Sequence, residues 1–427
     1  MGGVTFNLLF FIAIVLLIDV YVFRGLHKLS LKWQFIGKKW FFITWITVTL
    51  LLLSGLLLAV YVKISLDLRL VIVLAFFGLL LFKACFGLLL LVDDLRRLGI
   101  FIGRKLKKKS SIRPIETKPA AGTIPRSEFL LKAGLLAGAV PLAAFKLNMK
   151  SGLYDYQIQR HNLYLPNLPK AFDGMKLGQI SDIHSGSFFD KKAVLGGVEM
   201  LLREKPDLIF FTGDLVNERT SEMRDYQDLF SKVKAPLGVF SSLGNHDYGD
   251  YTDWNSPAAK QKNLDDLVQT HKNMGWDLLR NENRRLKIGN EEIGILGIEN
   301  WGELSRFPKY GRMDLAVKNT EDLPVKLLLS HDPSHWQAQV LPHYPQIDMV
   351  FAGHTHGMQF GVRTEHFQWS PVEYLYNEWA GFYRHEKQQI YVNVGYGFFG
   401  FRGRVGILPE ITIFTLKAGP DPLQSLS

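Results

Sequence analysis

Cysteine is nearly absent from this chain of 427 residues, which contains only Cys85. A single cysteine excludes an intrachain disulfide framework. It also excludes a zinc site built from several cysteine thiolates. Cys85 itself lies within a long apolar segment.

Acidic residues are scarce in the first third of the chain. Residues 1–150 contain 21 Lys/Arg against 6 Asp/Glu, whereas residues 151–427 contain 29 against 34. The formal net charge of +10 is thus made of +15 in the first part and −5 in the second. A basic protein is often a nucleic-acid-binding protein, but here the larger part is mildly acidic. We therefore expect no nucleic acid among its partners.

Long apolar runs fill most of the N-terminal part, and hydrophobic residues make up 47% of the whole chain. Three of these runs, 4–23, 40–62 and 70–92, reach the roughly 20 residues that a membrane-spanning helix needs. Each run is apolar on all sides, unlike a helix that covers a soluble core with one face. We predict three transmembrane helices within residues 1–95.

Two charged residues lie inside these runs. Lys83 falls near the middle of the third run, and Asp19 lies near the end of the first. Ionisable residues inside a membrane are often functional. The simpler interpretation is that Lys83 extends toward Asp19 and pairs with it, because no neighbouring residue would form a proton relay.

Basic residues between the runs indicate how the helices are oriented. The loop 24–39 carries five Lys/Arg residues and the segment 96–118 carries nine, whereas none precedes the first run. Short loops rich in Lys/Arg stay in the cytoplasm, and two crossings separate these two segments. We predict an integral protein of the cytoplasmic (inner) membrane with its N-terminus outside, followed by a basic linker over residues 96–150.

A fourth apolar run, 129–147, decides on which side the rest of the chain lies. Lys132, Pro141 and Lys146 make this run a marginal membrane span. If it crosses the membrane, the C-terminal domain is extracytoplasmic. If it lies in the interface as an amphipathic helix, that domain stays in the cytoplasm. We favour the crossing, and with it an extracytoplasmic C-terminal domain.

From about residue 152, short apolar runs alternate with polar stretches of helical length, which is typical of α/β units. Five of the apolar runs end in residue types that bind metals. Ligands bind beyond the carboxyl ends of strands in sheets of this kind, so we expect these residues to meet. They are Asp182, His184, Asp214, Asn245, His331, His354 and His356.

Glycine comes directly before three of these residues. Gly213, Gly244 and Gly353 stand where a strand ends, and we expect a sharp turn there, which glycine allows. Asp, His and Asn ligands without cysteine suit divalent Mn, Fe, Zn or Mg. Seven ligands are too many for one tetrahedral ion, and they suit two ions that share a carboxylate. Which metal binds is left open.

The motifs Asp-x-His, Gly-Asp, Gly-Asn-His-Asp, His and Gly-His-Thr-His occur in this order between Asp182 and His356. This set resembles the calcineurin-like metallophosphoesterase superfamily, over about residues 163–416. The segments 393–397 and 404–411 resemble its membrane-associated phosphodiesterase branch. The resemblance implies an α/β catalytic domain over residues 151–420, folded as a four-layer αββα sandwich of two mixed sheets. An N-terminal transmembrane helical region would precede it.

The resemblance also implies a role for each residue. One metal would be held by Asp182, His184 and His356, the other by Asn245, His331 and His354, with Asp214 bridging both. His246 would not bind metal but would stabilise the transition state and protonate the leaving oxygen. Asp247 would orient His246 through a hydrogen bond, as carboxylates often do for imidazoles.

These inferences together predict a membrane-anchored, dinuclear-metal phosphohydrolase. We expect it to cleave phosphomonoester, phosphodiester or pyrophosphate bonds by metal-activated water. Its partners would be membrane lipids and a phosphate-ester substrate, with lipid-linked or envelope-precursor phosphates favoured. The alternative is a catalytically silent membrane sensor or scaffold that binds phosphate ligands. The natural substrate and the oligomeric state are left open.

An aromatic-rich stretch, 367–383, follows the last ligand motif. One hypothesis is that it forms a hydrophobic rim for a lipid-linked phosphate, joined by Phe188 and Phe189. The alternative is that these side chains pack in the core of the domain, as most large apolar residues do.

Overall fold

The computed structural model describes residues 2–29, 39–61, 66–106, 129, 132–136, 138–139, 152–304, 306–400 and 402–422. The chain divides into two compact units, Met1–Leu147 and Asn148–Ser427. Most of the fourth apolar run, 129–147, lies outside the described residues, and those of its residues that are described are helical.

The first unit contains three long helices: α1 (Gly2–Leu29), α2 (Lys39–Tyr61) and α3 (Leu66–Leu106). In the described part of the chain, each contains a segment long and apolar enough to cross a membrane. These segments are Phe10–His27, Lys39–Leu58 and Ala75–Gly103. The three predicted spans are thereby confirmed. Helix α3 continues past residue 95 to Leu106, since the leucine, arginine and lysine residues there are good helix formers.

A buried ion pair connects α1 and α3. The Nζ of Lys83 donates hydrogen bonds to Oδ1 of Asp19 and to Oγ1 of Thr49 on α2, the latter at 2.6 Å. These three side chains are at most 3% exposed. Lys83 also lies 4.6 Å from the ring centroid of Trp45. The predicted pairing of Lys83 with Asp19 is confirmed, and we call it the membrane ion pair.

The second unit has fourteen strands in its described part. They are β1 (Gln157–Leu165), β2 (Lys176–Ile180), β3 (Leu208–Phe211), β4 (Val239–Ser241), β5 (Asp277–Leu278), β6 (Glu282–Ile288), β7 (Glu291–Gly297), β8 (Lys326–Leu329), β9 (Met349–Ala352), β10 (Val362–Arg363), β11 (Gln368–Trp369), β12 (Gly381–His385), β13 (Gln388–Val392) and β14 (Glu410–Ala418). One six-stranded sheet has the order β1-β14-β2-β3-β4-β5, and another has the order β12-β13-β9-β8-β7-β6. Strands β10 and β11 form a separate ribbon.

Both large sheets are mixed, as expected. In the first sheet β2, β3, β4 and β5 are parallel, and β14 runs antiparallel to β2. In the second sheet β13, β9, β8 and β7 are parallel, whereas the edge strands β12 and β6 are antiparallel to their neighbours. The carboxyl ends of the parallel strands therefore meet at one edge of each sheet.

In the described part of this unit, five α-helices accompany the sheets: α4 (Lys191–Arg203), α5 (Gln227–Phe230), α6 (Pro257–Met274), α7 (Met313–Ala316) and α8 (Leu341–His343). Helix α6 illustrates how they are delimited. The side chain of Ser256 accepts a hydrogen bond from the amide of Ala259, and Gly275 ends the helix in the left-handed region. These are favoured residues for the two ends of a helix.

Side chains alternate along β3 between two apolar cores, as the pleat of a strand requires. Phe210 faces the second sheet, where its ring centroid lies 5.0 Å from that of Phe351 on β9. Ile209 and Phe211 instead pack in the core that includes residues of α4, α5 and α6. A third core, which includes Trp336 and residues of β8 and β9, covers the outer face of the second sheet. The predicted αββα sandwich is confirmed.

Candidate metal centre

The seven predicted ligands all lie just beyond the carboxyl ends of parallel strands. Asp182 and His184 follow β2, Asp214 follows β3, and Asn245 follows β4. His331 follows β8 of the second sheet, and His354 and His356 follow β9. The two sheets thus contribute to one place from their corresponding edges. The structure brings all seven together.

Six of these residues form two clusters of possible metal ligands in the described part of the chain. Asp182, His184 and His356 make up one cluster, and Asp214, His331 and His354 make up the other. Within each cluster the ligand atoms lie within 4.8 Å of one another. We call them the first and the second subsite. Asn245 joins the second subsite, because its Oδ1 lies 2.8 Å from Nδ1 of His354.

Asp214 lies between the two subsites. Its Oδ2 is 3.1 Å from Nε2 of His331 in the second subsite and 3.5 Å from Nε2 of His184 in the first. A carboxylate that faces histidines of both subsites can share its oxygens between two cations. Asp214 thus faces histidines of both subsites, and its role as a bridging ligand stays a prediction.

Two buried ring nitrogens indicate that the site suits cations. Nε2 of His331 and Nε2 of His356 have no hydrogen-bond partner among the described residues. Each faces a carboxylate oxygen, on Asp214 at 3.1 Å and on Asp182 at 3.3 Å. Buried polar atoms normally have a partner, and imidazole nitrogens beside carboxylates are common ligands of divalent metals. The residues present therefore fit two divalent metal ions.

Three of the four histidines are held through the ring nitrogen that points away from the site. Nδ1 of His331 lies 2.7 Å from the carbonyl oxygen of Thr212, and Nδ1 of His184 lies 3.1 Å from Oδ1 of Asn217. For His354 the supported atom is Nε2, which lies 2.8 Å from the hydroxyl of Tyr376. An acceptor on one nitrogen holds the proton there and leaves the other free for a metal.

Asp332 supports His354 as well, since its Oδ2 lies 3.6 Å from Nε2 of His354 and 3.4 Å from the hydroxyl of Tyr376. The sequence pattern did not predict a role at the site for Asp332, Tyr376 or Asn217. The only signal for Asp332 was its position directly after His331, and Asn217 follows Asp214 by three residues. Tyr376 carried no signal beyond its place in the aromatic-rich stretch.

The two carboxylates of the centre are ionised at neutral pH. Burial raises the pKa of Asp182, but the interactions with His356 and His331 together outweigh burial and lower that pKa to about 2. Burial likewise raises the pKa of Asp214, and His331, His246 and His184 together outweigh it, so that the pKa lies well below its ordinary value. Opposite charges at short range have this effect on a carboxylate.

The backbone at the site is strained. Asp182, His184, Asp214, His354 and His356 have φ angles of 52°, 49°, 59°, 73° and 49°. Residues other than glycine seldom adopt this left-handed region, and such strain concentrates at functional sites. This left-handed conformation makes the backbone turn sharply at the strand ends.

Of the three glycines that come directly before a ligand, only Gly213 has a backbone angle that favours glycine. Gly213 has a φ of 97°, as expected for a sharp turn. Gly244 has an ordinary φ of −102°, and Gly353 is also outside the left-handed region. A Cβ on Gly353 would lie 2.2 Å from Oδ2 of Asp182, and one on Gly244 would lie 2.2 Å from Oδ1 of Asp214. These two positions require glycine because the carboxylates approach so closely.

His246 lies beside the centre without joining either subsite. Its Nδ1 is 2.8 Å from the carbonyl oxygen of Asn217, and its amide donates to Oδ1 of Asp214 at 2.9 Å. Its ring centroid lies 5.0 Å from that of His184 and 4.2 Å from that of Phe399. The position suits a group that exchanges a proton with a molecule bound in the centre.

The predicted hydrogen bond between Asp247 and His246 was wrong. The buried carboxylate of Asp247 instead accepts hydrogen bonds from the amides of Asp214, Leu215 and Gly244 at 2.8 to 2.9 Å. The turns that follow β3 and β4 leave these amides without strand partners, and Asp247 satisfies them. Asp247 therefore positions the backbone of Asp214 and does not orient His246.

The aromatic-rich stretch is divided between rim and core. Tyr374 is 75% exposed, and Phe189 is 62% exposed, as the rim hypothesis requires. Trp379 and Phe188 are buried, as the core alternative requires. Tyr376 is buried too, but it contacts the metal centre through His354.

Comparisons with known proteins agree with this site. A family model described as "Calcineurin-like phosphoesterase" matches residues 175–358, and one described as "Probable Calcineurin-like phosphoesterase, transmembrane domain" matches residues 5–153. The chain is 30% identical over 258 residues to a transmembrane protein with metallophosphoesterase domain from Danio rerio. That match covers 58% of this chain and 55% of the relative, so the chain spans about half of the relative's length.

Another relative is an uncharacterised metallophosphoesterase of Bacillus subtilis, 29% identical over 60% of this chain and 84% of that protein. Among solved structures, a dimetal phosphatase from Danio rerio aligns with a TM-score of 0.30 and 14% identity, over 52% of this chain and 88% of that chain. This similarity is too distant to indicate a function. The two family models match parts of both units, so the chain is similar to calcineurin-like metallophosphoesterases that carry an N-terminal transmembrane domain.

Proposed function

We propose that the second unit hydrolyses phosphomonoester, phosphodiester or pyrophosphate bonds, as a metal-dependent enzyme anchored in a membrane. The observation that carries the proposal is the pair of subsites joined by Asp214, with His246 beside them. Paired divalent sites of this kind serve in-line displacement at phosphorus.

In this proposal each ligand keeps its predicted role. Asp182, His184 and His356 would hold one metal, Asn245, His331 and His354 would hold the other, and Asp214 would be shared by both. When bound, the two ions lower the pKa of a water molecule and offset the negative charge of the phosphoryl oxygens. The buried, ionised carboxylates keep those ions in place.

His246 would protonate the leaving oxygen. Its Nδ1 is held by the carbonyl oxygen of Asn217, so the proton that it transfers is carried by Nε2. An alkoxide leaves poorly without a proton, which makes a general acid valuable at this position. Residue Glu222 supports the arrangement, because its carboxylate accepts a hydrogen bond from the amide of Asn217 at 2.6 Å.

We further propose that the substrate is a lipid-linked or envelope-precursor phosphate. The apolar side chains beside His246 favour this class over a small soluble ester. The ring of Phe399 contacts that of His246. The adjacent Phe398 is buried, and the ring centroid of Phe398 lies 6.1 Å from that of the exposed Phe189. An acyl or prenyl chain could pack along these rings once the phosphate is bound.

The substrate class can be tested with a panel of lipid-like and soluble phosphodiesters. Replacing Phe189 by Ser should raise KM for the lipid-like esters alone. Leu315, which is exposed on α7, provides a matched control. Leu315→Ser should leave KM unchanged for both the lipid-like and the soluble esters. A general preference for the soluble esters would refute the lipid-linked class while leaving hydrolysis intact.

We propose that the protein lies in the cytoplasmic membrane with its catalytic unit on the extracytoplasmic side. The two basic segments support this orientation. So does the match of residues 5–153 to a family of transmembrane domains with four spans. A reporter fused to the C-terminus tests it: activity of a reporter that works only outside the cytoplasm is expected, and activity of a cytoplasmic reporter would contradict it.

The hydrolytic activity itself is tested with the full-length protein in detergent. Bis-p-nitrophenyl phosphate should be hydrolysed when Mn²⁺ is present, and a chelator should abolish the reaction until Mn²⁺ is restored. Absence of hydrolysis with Mn²⁺, Fe²⁺, Zn²⁺ and Mg²⁺ would favour the alternative, a sensor or scaffold that binds phosphate ligands without turnover.

A further inference from the structure

We propose that Arg404 makes the first subsite the weaker of the two, so that the second subsite binds its metal first. The inference goes beyond the proposed hydrolysis and concerns the order in which the centre is assembled. It needs only that the seven ligands bind two divalent ions.

Arg404 is fully buried, and it is the largest such side chain in the described part of the protein. Its guanidinium donates hydrogen bonds to the carbonyl oxygens of Val394, Gly395, Gly397 and Ile407 at 2.6 to 3.2 Å. None of its hydrogen bonds within the described residues is to a carboxylate. The positive charge is therefore met by carbonyl dipoles at hydrogen-bond distance and, at longer range, by the carboxylates of Asp182 and Glu410.

Arg404 also contacts a ligand of the first subsite. Its Nη2 lies 3.2 Å from Nδ1 of His356. The two N–H groups of this Nη2 have closer acceptors, the carbonyl oxygens of Gly397 at 2.6 Å and Val394 at 2.8 Å. A guanidinium can only donate hydrogen bonds, so Arg404 offers no acceptor for a proton on Nδ1 of His356. The proton of the neutral imidazole then lies on Nε2, the nitrogen that faces Asp182 and would have to bind the metal. In His184, His331 and His354 the outward nitrogen has an acceptor instead.

The turn between residues 394 and 397 links Arg404 to the other side of the first subsite. The amide of Gly397 donates to the carbonyl oxygen of Asp182 at 2.9 Å, and the amide of Tyr396 donates to that of Ser181 at 2.7 Å. Gly395 has a φ of 89°, and a Cβ there would lie 2.9 Å from Nδ1 of His356. Arg404, His356 and Asp182 thus form one tightly packed group.

The second subsite has the opposite electrostatic surroundings. There the carboxylate of Asp332 lies 3.6 Å from Nε2 of His354, on the far side of the ring from Asn245. A carboxylate behind a histidine ligand raises the basicity of that ligand, whereas a guanidinium opposes both the metal charge and the required tautomer. Both effects favour occupation of the second subsite before the first.

The test is a Mn²⁺ titration of the metal-free, full-length protein in detergent, followed by electron paramagnetic resonance. An isolated Mn²⁺ and a coupled pair give different spectra. The wild-type protein should first accumulate the isolated-ion signal and should bind the second ion about tenfold more weakly. His331→Asn should remove the tight step, and His184→Asn should remove the weak step. The reverse assignment would overturn the proposal.

Arg404→Gln is the decisive variant, because it keeps an amide donor but removes the charge. It should strengthen the weak step about tenfold and diminish the isolated-ion signal at intermediate Mn²⁺. Arg404→Lys is the matched control, since it keeps the charge, loses the forked hydrogen bonds and should preserve the order. If Arg404→Gln weakens the second step, Arg404 supports the metal and the proposal is wrong.

If the Arg404 variants do not fold, Asp332→Asn tests the same proposal from the second subsite. It should weaken the tight step about tenfold or more and leave the weak step unchanged. Equal affinity of the two wild-type steps would refute the inference without touching hydrolysis. Binding of no Mn²⁺ would refute the two-metal function as well, so the two failures are distinguishable.

Discussion

The membrane ion pair and the metal centre are both buried groups of charges, but they are completed in different ways. In the first unit the cation of Lys83 contacts the anion of Asp19 directly, and Thr49 takes a further hydrogen bond. In the second unit the carboxylates of Asp182 and Asp214 face histidines at 3.1 to 3.5 Å. No Lys or Arg of the described residues forms an ion pair with either.

The difference distinguishes a structural ion pair from a binding site. Burying a charge is costly unless it is paired, and the membrane ion pair meets that cost with residues of the chain. The metal centre holds two ionised carboxylates, strained backbone and ring nitrogens without partners. It is completed only by cations from outside the chain.

The largest effect should follow from Asp214→Asn, which removes the charge shared by both subsites. The variant should lose about 5 kcal/mol of transition-state stabilisation, or on the order of 10⁴-fold in kcat/KM. Its Mn²⁺ content should fall as well, which elemental analysis measures. Normal Mn²⁺ content together with normal turnover would show that Asp214 does not bridge the metals.

His246→Asn separates proton transfer from metal binding within the centre. We expect turnover to fall on the order of 10³-fold, since a general acid is lost, while Mn²⁺ content stays near that of the wild type. Activity should recover in part with esters whose leaving groups need no proton. A collapse of the metal content would make His246 a ligand and refute its separate role.

Lys83→Met breaks the membrane ion pair and leaves Asp19 buried without its cation. The free energy of unfolding should fall by about 3 kcal/mol, measured by thermal unfolding in detergent. The matched control is Lys83→Met combined with Asp19→Asn, which should recover most of the stability. Hydrolysis of a soluble ester per folded molecule should be unchanged in both. Loss of activity at normal stability would contradict a purely structural pair.

The smallest expected effect is the change in stability with pH that His271 causes. This histidine is buried without a neighbouring charge, so it shows the effect of burial alone on a pKa. Burial lowers its pKa to about 3 in the folded protein, whereas the unfolded chain takes up the proton near pH 6.5. The neutral His271 therefore adds its full contribution to the free energy of unfolding above about pH 6.5, and this contribution is lost as the pH falls toward 3. Between pH 7 and pH 5 the loss should be about 2 kcal/mol.

Chemical denaturation at several pH values measures this loss. His271→Gln should flatten the pH dependence relative to the wild type. His343→Gln, at an exposed position of α8, should leave it unchanged. An equal slope in the wild type and in His271→Gln would exclude His271 as the origin.

Much of the architecture could be predicted because its signals are local. A membrane span is a long apolar run, and a buried strand is a short one, so α1 to α3 and the strands before the ligands are visible along the chain. Asp182 and His356 are 174 positions apart, yet both could be assigned to one site, because each follows a strand. The motif order supplied the rest of that prediction.

The partners of Asp247 and Arg404 could not be predicted in the same way. Asp247 is adjacent to His246 in the chain, but the turn after β4 directs its carboxylate to the amides after β3. Arg404 reaches His356 only because the turn 394–397 lies against the end of β2. Such contacts depend on how separate turns pack, which no local pattern encodes.

The sequence alone predicted the membrane spans, the α/β class and the seven candidate ligands, since these depend on hydrophobic length, periodicity and the residue type at each strand end. The αββα sandwich came from the family resemblance. Only the tertiary structure decided which nitrogen of each imidazole faces the site. It also decided that Asp332 stands behind one subsite and Arg404 behind the other. The physical reason is that tautomer and local field depend on atoms within a few ångströms, and the fold alone brings those atoms together.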